Sequence, residues 1–242
     1  YRTGAVPGVG YKNLSKEDAK TVAIIGPGVM SKTALAAIMA VRPSVELIKV
    51  KGRGKASLEK FIEHVKKTHP NVEVRAVDTI EEAVRDSDIV SASTSTPTGD
   101  PKEYPYIKEE WIKPGALISS TAALRFDDDF IINRARTVTD NIKLYEAWEE
   151  EMKPDAYNTV PIPAVRVMDL IAEGKMSKDR VDDLGDILMG NIPVHRKKDE
   201  IIIYSIGGMP VEDVAWGTIV YRNALKKGIG TKLNLWNTPQ MV

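Results

Sequence analysis

The chain has 242 residues, and 43% of them are hydrophobic, which is enough to bury a full α/β core. Lys and Arg together number 34, as do Asp and Glu, so the formal net charge is zero and a nucleic-acid or acidic-membrane partner is disfavoured. The absence of cysteine excludes disulfides, thiolate nucleophiles and cysteine metal sites. The three histidines do not pair with carboxylates at ligand spacing, so we expect no metal site. With no apolar run of membrane-spanning length and no signal peptide at its start, the chain is expected to be globular and cytoplasmic.

Predicted strands and helices alternate over the first part of the chain. The strands are expected at 22–25, 45–50, 72–77, 88–93, 116–120 and 137–139. The helices between them are expected at 31–41, at 58–68 with Ser57 as the cap, at 80–85 with a Thr79 and Glu82 capping box, and at 128–134. This alternation predicts an α/β fold with a doubly wound, Rossmann-type parallel sheet, whose ligand crevice lies at the carboxyl ends of the strands.

From residue 142 onward the pattern becomes mostly helical. Helices are predicted at 142–152, 165–173 and 180–189. A strongly apolar strand follows at 200–206, and a long helix then runs from about residue 211 to Lys227 and ends at Gly228.

The first predicted strand leads into a G-x-G-x-x-S turn that opens directly into a helix. In such a turn Gly26 permits the sharp exit from the strand, Gly28 allows the backbone to approach a pyrophosphate, and the small Ser31 allows close packing of helix and sheet. A glycine turn in some other α/β protein is the alternative. Because a strand precedes the turn and a helix and second strand follow it, we predict a dinucleotide site. Its predicted contacts are Gly26, Pro27, Gly28, Val29, Met30 and Ser31.

The end of the second strand decides which dinucleotide is preferred. An acid there binds the ribose 2′-hydroxyl of NAD, whereas an arginine accommodates the 2′-phosphate of NADP. In this chain Gly52 takes the position of the acid, and Lys51, Arg53 and Lys55 surround it. We therefore predict that Gly52, Arg53 and Lys55 contact NADP, with NAD as a possible cofactor. The alternative is that these cations are solvated charges of a surface loop.

Several further motifs occur in a characteristic order. They are R-T-G-A at residues 2–5, the strand and glycine turn at 22–28, D-S-D-I-V at 86–90 followed by S-T-S-T-P at 93–97, W-I-K-P-G at 111–115, D-E-I at 199–201 and G-M-P-V-E-D-V-A at 208–215. Over nearly its whole length the chain resembles the ornithine cyclodeaminase/mu-crystallin family.

The resemblance implies a domain organisation. Residues 16–206 would form the dinucleotide-binding domain, 1–15 a segment connecting from the substrate domain, and 207–242 a return to that second substrate and dimerisation domain. A homodimer or higher oligomer is implied. Family members carry a further N-terminal portion with substrate-holding residues, so we expect this sequence to be a fragment or to work with a separate chain that carries that portion.

The resemblance also implies roles for individual residues. Arg2 matches the arginine that clamps the substrate carboxylate, for which a guanidinium offers a planar fork; the alternative is a frayed, solvated side chain. Asp213 would act as a catalytic residue beside the nicotinamide, although Glu212 and Asp213 also suit a helix start. The remaining predicted cofactor contacts are Thr3, Ser93, Thr94, Ser95, Thr96, Ser120 and Thr121, with Thr94 and Thr96 as the preferred hydroxyl donors.

One position separates the branches of the family. Cyclodeaminase members carry a catalytic aspartate after the strand at 116–120, and the corresponding position here is close to Leu124. We therefore predict an NAD(P)-dependent oxidoreductase that moves a hydride to or from the α-carbon of an amino or imino acid. It would resemble an alanine dehydrogenase, a ketimine reductase or an N-substituted amino acid dehydrogenase. The alternatives are an ammonia-releasing cyclodeaminase with bound NAD and a non-enzymatic NADP-linked binding protein of mu-crystallin type.

Overall fold

The structure is a computed structural model that describes residues 2–95, 99–195 and 197–233. The chain divides into two compact units. The first is Thr3–Gly208, and the second consists of Arg2 together with the chain from Met209 onward.

Within the described residues, eight parallel strands form a single sheet in the first unit. They are β1 Thr21–Ile25, β2 Leu47–Lys51, β3 Glu73–Ala76, β4 Ile89–Ala92, β5 Leu117–Ser120, β6 Arg136–Thr139, β7 Val181–Asp183 and β8 Ile202–Ser205. Their order is β3-β2-β1-β4-β5-β8-β6-β7, so the chain winds outward from β1 to β3 and returns on the other side of β1 with β4. This reversal confirms the predicted doubly wound sheet and leaves a crevice beyond the carboxyl ends of β1 and β4.

The described helices are α1 Arg2–Ala5, α2 Pro7–Leu14, α3 Val29–Val41, α4 Lys55–Thr68, α5 Ile80–Val84, α6 Asp128–Asn133, α7 Ile142–Glu151, α8 Ala156–Thr159, α9 Pro163–Ala172, α10 Leu184–Leu188 and α11 Pro210–Lys227. Helices α2 to α10 cover both faces of the sheet, whereas α11 belongs to the second unit. Because side chains alternate along a strand, Val22 and Ile24 enter one core with α2, α3, α4 and α10, whereas Ala23 and Ile25 enter the other with α5 to α9. None of the described helices combines the length and apolarity needed to cross a bilayer.

Two local predictions are wrong. Helix α4 begins at Lys55 with Gly54 as its cap, and the Ser57 hydroxyl donates a hydrogen bond back to the Gly54 carbonyl at 2.8 Å instead of capping the helix. The segment predicted as a helix at 180–189 starts as strand β7, because Val181–Asp183 pairs with β6, and only Leu184–Leu188 is helical. The Thr79 and Glu82 capping box and the helix end at Gly228 are confirmed.

Asp88 joins three segments at the amino-terminal edge of the sheet. Its Oδ2 accepts hydrogen bonds from the backbone amides of Lys20 at 2.8 Å and Thr21 at 3.0 Å, and its Oδ1 accepts one from Lys113 Nζ. Burial raises the pKa of Asp88, but the bonds from Lys113 and the two amides outweigh burial, so that its pKa lies below the usual value. The ionised carboxylate therefore stabilises the fold.

Replacing Asp88 with alanine should lower the free energy of unfolding at neutral pH by about 2–3 kcal/mol, because two part-buried backbone amides and one ammonium lose their acceptor. A carboxyl group with a depressed pKa contributes stability above its unfolded pKa of about 3.9, and this contribution is lost as the pH falls through the folded pKa. Urea unfolding should show the difference between wild type and Asp88→Ala shrinking below about pH 4. The exposed Asp18→Ala is the control, and an equal loss there would contradict the role of Asp88.

Candidate functional site

The turn between β1 and α3 is fixed by its neighbours on both sides. The Gly26 amide donates a hydrogen bond to the Lys51 carbonyl of β2 at 2.9 Å, and the Ser93 amide after β4 donates one to the Ile25 carbonyl at 3.0 Å. Gly26 has a φ of +90°, and a Cβ on it would lie 2.6 Å from the Ser93 carbonyl oxygen. Only glycine fits this backbone conformation and this close approach. The ends of β1, β2 and β4 are thereby held together at one edge of the sheet.

The start of α3 has the features of an anion site. Gly28 caps the helix without a side chain, and the first turn of α3 contains no acidic residue. A Cβ on Gly28 would have no atom within 4 Å, so the space beside its backbone is open. The Ser31 hydroxyl bonds to the Gly26 carbonyl and is fully buried, which shapes the turn itself. The free amides of a helix start and its dipole favour a phosphate at this position.

A crevice of about 770 Å³ opens beside this turn. It is lined by Ile25, Gly26, Pro27, Gly28, Lys51, Gly52, Arg53, Gly54, Ser57, Ile80, Ser93, Thr94, Ser95, Asp100, Glu103 and Pro105. Its volume lies in the range of small-molecule and cofactor sites. The residues present therefore fit a dinucleotide, with the glycine turn at one side and the loop after β2 at the other.

The loop after β2 carries the cationic side of the crevice. The Arg53 guanidinium reaches across it and donates to the Ser95 carbonyl, and Lys51 Nζ donates to the Asp78 carbonyl. Helix α4 begins directly after this loop, with Gly54 as its cap and no acid in its first turn. Cationic side chains and a helix start thus lie together where a ribose phosphate of a dinucleotide would be selected.

Arg2 and Asp213 contact each other within the second unit. Arg2 donates from Nε to Asp213 Oδ1 at 2.8 Å and from Nη2 to Asp213 Oδ2 at 2.6 Å, while its Nη1 reaches Glu212 Oε2 at 3.2 Å. Glu212 Oε2 also accepts the Met209 amide at the start of α11. The Arg2 fork therefore already binds a carboxylate in a bidentate manner, which is the geometry expected of a carboxylate clamp.

The motif that follows Arg2 packs against the glycine turn. A Cβ on Gly4 would lie 2.5 Å from the Met30 carbonyl oxygen and 2.7 Å from the Thr33 Cβ. Glycine at this position allows α1 to contact the first turns of α3. The motif that follows Arg2 and the glycine turn both belong to the predicted family pattern, and they lie together at the start of α3.

A family model for the ornithine cyclodeaminase/mu-crystallin family matches residues 1–228. The chain belongs to this family. The resemblance predicted from the ordered motifs is therefore confirmed, and the match includes the glycine turn, the crevice and all of α11.

Two relatives among curated proteins of the family are similar along most of the chain. The N-((2S)-2-amino-2-carboxyethyl)-L-glutamate dehydrogenase of Staphylococcus aureus is 27% identical over 236 residues, which cover 97% of this chain and 64% of the relative. The ketimine reductase mu-crystallin of Macropus fuliginosus is 28% identical, covering 91% of this chain and 60% of the relative. The chain thus spans less than two thirds of the length of these relatives.

A solved structure shows the same fold. Thermococcus litoralis Delta(1)-pyrroline-2-carboxylate reductase, in complex with NADH and L-proline, superimposes with a TM-score of 0.76 at 26% identity, over 96% of this chain and 66% of that one. This chain therefore has the fold of an enzyme whose structure was solved with a nicotinamide dinucleotide bound.

The crevice brings together part of the predicted cofactor contacts. Gly26, Pro27, Gly28, Gly52, Arg53, Ser93, Thr94 and Ser95 all line it. The predicted contacts Thr3, Val29, Met30, Ser31, Lys55, Ser120 and Thr121 are not among its lining residues, and Thr96 lies outside the described residues. Among these, Lys55 points into solvent with its side chain 90% exposed, and the Thr121 hydroxyl bonds to Ser93 Oγ at 2.9 Å.

Sequence reasoning missed one wall of the crevice. Asp100, Glu103 and Pro105 come from the loop after β4, where a 3-10 turn capped by Asp100 follows the glycine at 99. The D-P pair at 100–101 is a turn signal, but it does not indicate which neighbouring segment the turn faces. Lys51 and Ser57 were also absent from the predicted contacts, although both flank the predicted loop after β2.

The loop after β5 packs into the protein at Leu124. Leu124 is fully buried, its carbonyl accepts the Tyr157 hydroxyl at 2.5 Å, and its amide donates to the Pro161 carbonyl. The three acids that follow are engaged elsewhere: Asp127 accepts the Tyr106 hydroxyl, Asp128 binds Arg166, and Asp129 binds Arg134. No carboxylate among residues 124–129 therefore lies free at the position where cyclodeaminases of the family were expected to carry one.

A second cavity of about 490 Å³ lies next to this loop. Its Arg166 binds Asp128 through Nε at 3.0 Å and Nη2 at 2.6 Å, and Glu173 through Nη1 at 2.7 Å. Asp169 accepts the Tyr157 amide, and burial raises its pKa. Arg125 also lines this cavity, and its Nε is buried without a hydrogen-bond partner among the described residues. The crevice beside the glycine turn is larger and has the open helix start, so it is the better site for a dinucleotide. Within the described ranges, His, Asp and Glu form no group of three suited to a metal ion.

Proposed function

We propose that this chain is an NAD(P)-dependent oxidoreductase that transfers a hydride to or from the α-carbon of an amino or imino acid. The observation that carries the proposal is the crevice at the carboxyl ends of β1 and β4, with its glycine turn and open helix start. Membership of the family and two relatives named as a dehydrogenase and a reductase support it. The buried Leu124 disfavours the cyclodeaminase alternative.

In this proposal the chain's own residues bind and orient the dinucleotide. The amides at the start of α3 hold the pyrophosphate, and Gly28 allows its close approach. Ser93, Thr94 and Ser95 lie along the ribose on the nicotinamide side of the crevice. When bound, the nicotinamide supplies the hydride chemistry, and the protein contributes position and electrostatics.

NADP is the proposed preferred cofactor. Three features of the loop after β2 support it: no acid stands at position 52, Arg53 lies across the crevice, and α4 begins with an open, acid-free first turn. A 2′-phosphate placed between Arg53 and this helix start would gain charge-assisted hydrogen bonds. NAD lacks that phosphate and would bind more weakly.

Removing the Arg53 guanidinium should reduce the preference for NADPH over NADH. Arg53→Ala is expected to weaken NADPH binding by about 10- to 100-fold, since a hydrogen bond to a charged group contributes about 1.5–3 kcal/mol. NADH affinity should change by less than about threefold. Fluorescence titration with both reduced dinucleotides measures the ratio. Lys67→Ala, which removes an exposed cation in the last turn of α4, serves as the control. An unchanged ratio in Arg53→Ala would refute the role of this loop.

Substrate binding is proposed to use Arg2, with Asp213 as the catalytic residue beside the reacting carbon. Their contact supports a shared site: a substrate carboxylate would compete with Asp213 for the same guanidinium fork. The exchange would release the Asp213 carboxylate for proton transfer at the moment of substrate binding.

The proposed activity is tested with the purified protein. Candidate substrates are amino acids with NADP and imino acids with NADPH, followed by the absorbance of the reduced nicotinamide. Net gain or loss of this absorbance with a substrate supports an oxidoreductase. Ammonia release without net absorbance change would establish the lyase instead, and ligand binding without any turnover would establish a binding protein.

Helix α11 supports the proposed second domain and an oligomer. Its apolar side chains are exposed on more than one face, including Trp216 at 50%, Tyr221 at 64% and Leu225 at 62%. A helix that is apolar nearly all round is normally buried. We propose that residues 207–242 belong to a substrate and dimerisation domain and that these side chains are covered in the homodimer. The cytoplasmic location stays a prediction.

A further inference from the structure

We propose that Pro27 is a specificity-determining residue: its ring excludes any side chain from position 52 and so excludes the acid that would select NAD. This inference rests on the proposed dinucleotide site and assigns a part of its selectivity to the glycine turn. Pro27 thus acts on cofactor choice through a contact with another loop of the protein, in addition to any contact with the cofactor.

The contact is a close one. A Cβ built on Gly52 would lie 2.7 Å from Pro27 Cγ and 2.8 Å from Pro27 Cδ, distances that real Cβ atoms essentially never show. The other neighbour of that Cβ, Leu58 Cδ1, is 3.9 Å away, which is an ordinary van der Waals contact. Pro27 is therefore the obstacle to a side chain at position 52.

The obstacle cannot easily move. A proline ring has no rotamer that would swing it aside, and Pro27 is buried. The preceding Gly26 is held by its bond to the Lys51 carbonyl and by its approach to Ser93. Shifting Pro27 would thus disturb the turn that is proposed to hold the pyrophosphate.

Backbone strain is not the obstacle. Gly52 is absent from the glycines with positive φ, so an L-residue can adopt its conformation. Gly54, two residues along the same loop, provides a contrast. A Cβ there would approach only the Ser57 hydroxyl at 3.3 Å, and this short side chain can rotate away. Of these two loop glycines, only Gly52 is constrained by the glycine turn.

The consequence is a coupling between the two loops. In NAD-selective Rossmann domains an acid at the end of the second strand binds the ribose 2′-hydroxyl. Here such an acid would displace the glycine turn before it could bind a ribose. Changing cofactor preference therefore requires a change at Pro27 as well as at Gly52.

Binding of NADH and NADPH to four proteins tests this coupling: wild type, Gly52→Asp, Pro27→Ala and the double variant. Gly52→Asp alone should weaken both dinucleotides by about 10-fold or more. Adding Pro27→Ala should restore NADH binding while NADPH stays weak, so that the preference shifts toward NADH by about 10-fold or more relative to wild type. Gly54→Asp, with and without Pro27→Ala, controls for the added charge and should show no such restoration. A Gly52→Asp protein that binds NADH as tightly as the double variant does would overturn the proposal.

A second measurement tests the contact without any cofactor. Gly52→Ala should lower the melting temperature by roughly 3 °C or more in the wild-type background and much less in the Pro27→Ala background. Equal losses in both backgrounds would overturn the steric contact. If the contact is found but wild type binds neither dinucleotide, the proposed cofactor function fails while the contact stands, so the two failures are distinguishable.

Discussion

Gly26→Ala is expected to reduce dinucleotide affinity by about 100-fold or more, the largest effect on binding that we predict. The new Cβ would lie 2.6 Å from the Ser93 carbonyl oxygen, and the φ of +90° is unfavourable for alanine. The turn must therefore move away from Ser93, which separates the phosphate-binding backbone from the hydroxyl side of the crevice. The free energy of unfolding, measured by urea denaturation, should also fall by about 1–3 kcal/mol.

Gly28→Ala is the matched comparison. Its Cβ would meet no atom within 4 Å and its φ of −93° suits any residue, so stability should change by less than about 0.5 kcal/mol. Affinity for the dinucleotide should nevertheless fall by about 10-fold, because the methyl group would occupy the space of the pyrophosphate. If the two variants bind NADPH as tightly as wild type, the dinucleotide does not lie at this turn.

Arg136→Met is expected to give the largest loss of stability, about 3–5 kcal/mol of unfolding free energy. The Arg136 side chain on β6 is only 3% exposed, and its Nε donates to Asp182 Oδ2 at 2.6 Å. Its two Nη atoms donate to the Pro193 and Val194 carbonyls and to Glu200. Methionine would remove the cation that offsets the buried Asp182 carboxylate and the part-buried Glu200 carboxylate, and it would remove the donors that hold residues 193–194.

The double variant Arg136→Met with Asp182→Asn is the control for this second prediction. Because both residues belong to one network, the pair should cost less than the sum of the single variants, as measured by denaturant unfolding of all three. Strictly additive losses, or a loss below about 1 kcal/mol for Arg136→Met, would contradict the account of this network. NADPH affinity of the folded protein should stay unchanged, because Arg136 lies on the opposite side of β5 from the crevice strands.

Local sequence signals predicted most of the sheet because their physical causes are local. The apolar runs at 22–25 and 89–92 enter the sheet directly, and Gly26 is required by its own dihedral angle and by its neighbour Ser93. The capping box at Thr79 and Glu82 is likewise made by residues three apart. Signals of this kind do not depend on which distant segment lies alongside.

The features that sequence reasoning missed depend on distant segments. Residues 181–188 have the apolar spacing of a helix, yet Val181–Asp183 pairs with β6, where Asp182 meets Arg136. The wall of the crevice at Asp100 and Glu103 was also missed because its position depends on a distant segment of the chain. The contact of Gly52 with Pro27 joins two glycine-containing loops, and neither loop alone indicates it. Absence of an acid at position 52 was visible in the sequence, but its steric cause was not.

The most direct test of the central claim is a calorimetric titration of this chain with NADPH and with NADH. We predict that one NADPH binds per chain and that NADH binds at least about 10-fold more weakly. Gly28→Ala should reduce the NADPH affinity without changing stability. A wild-type protein that is folded by circular dichroism and binds neither dinucleotide at millimolar concentration would contradict the account.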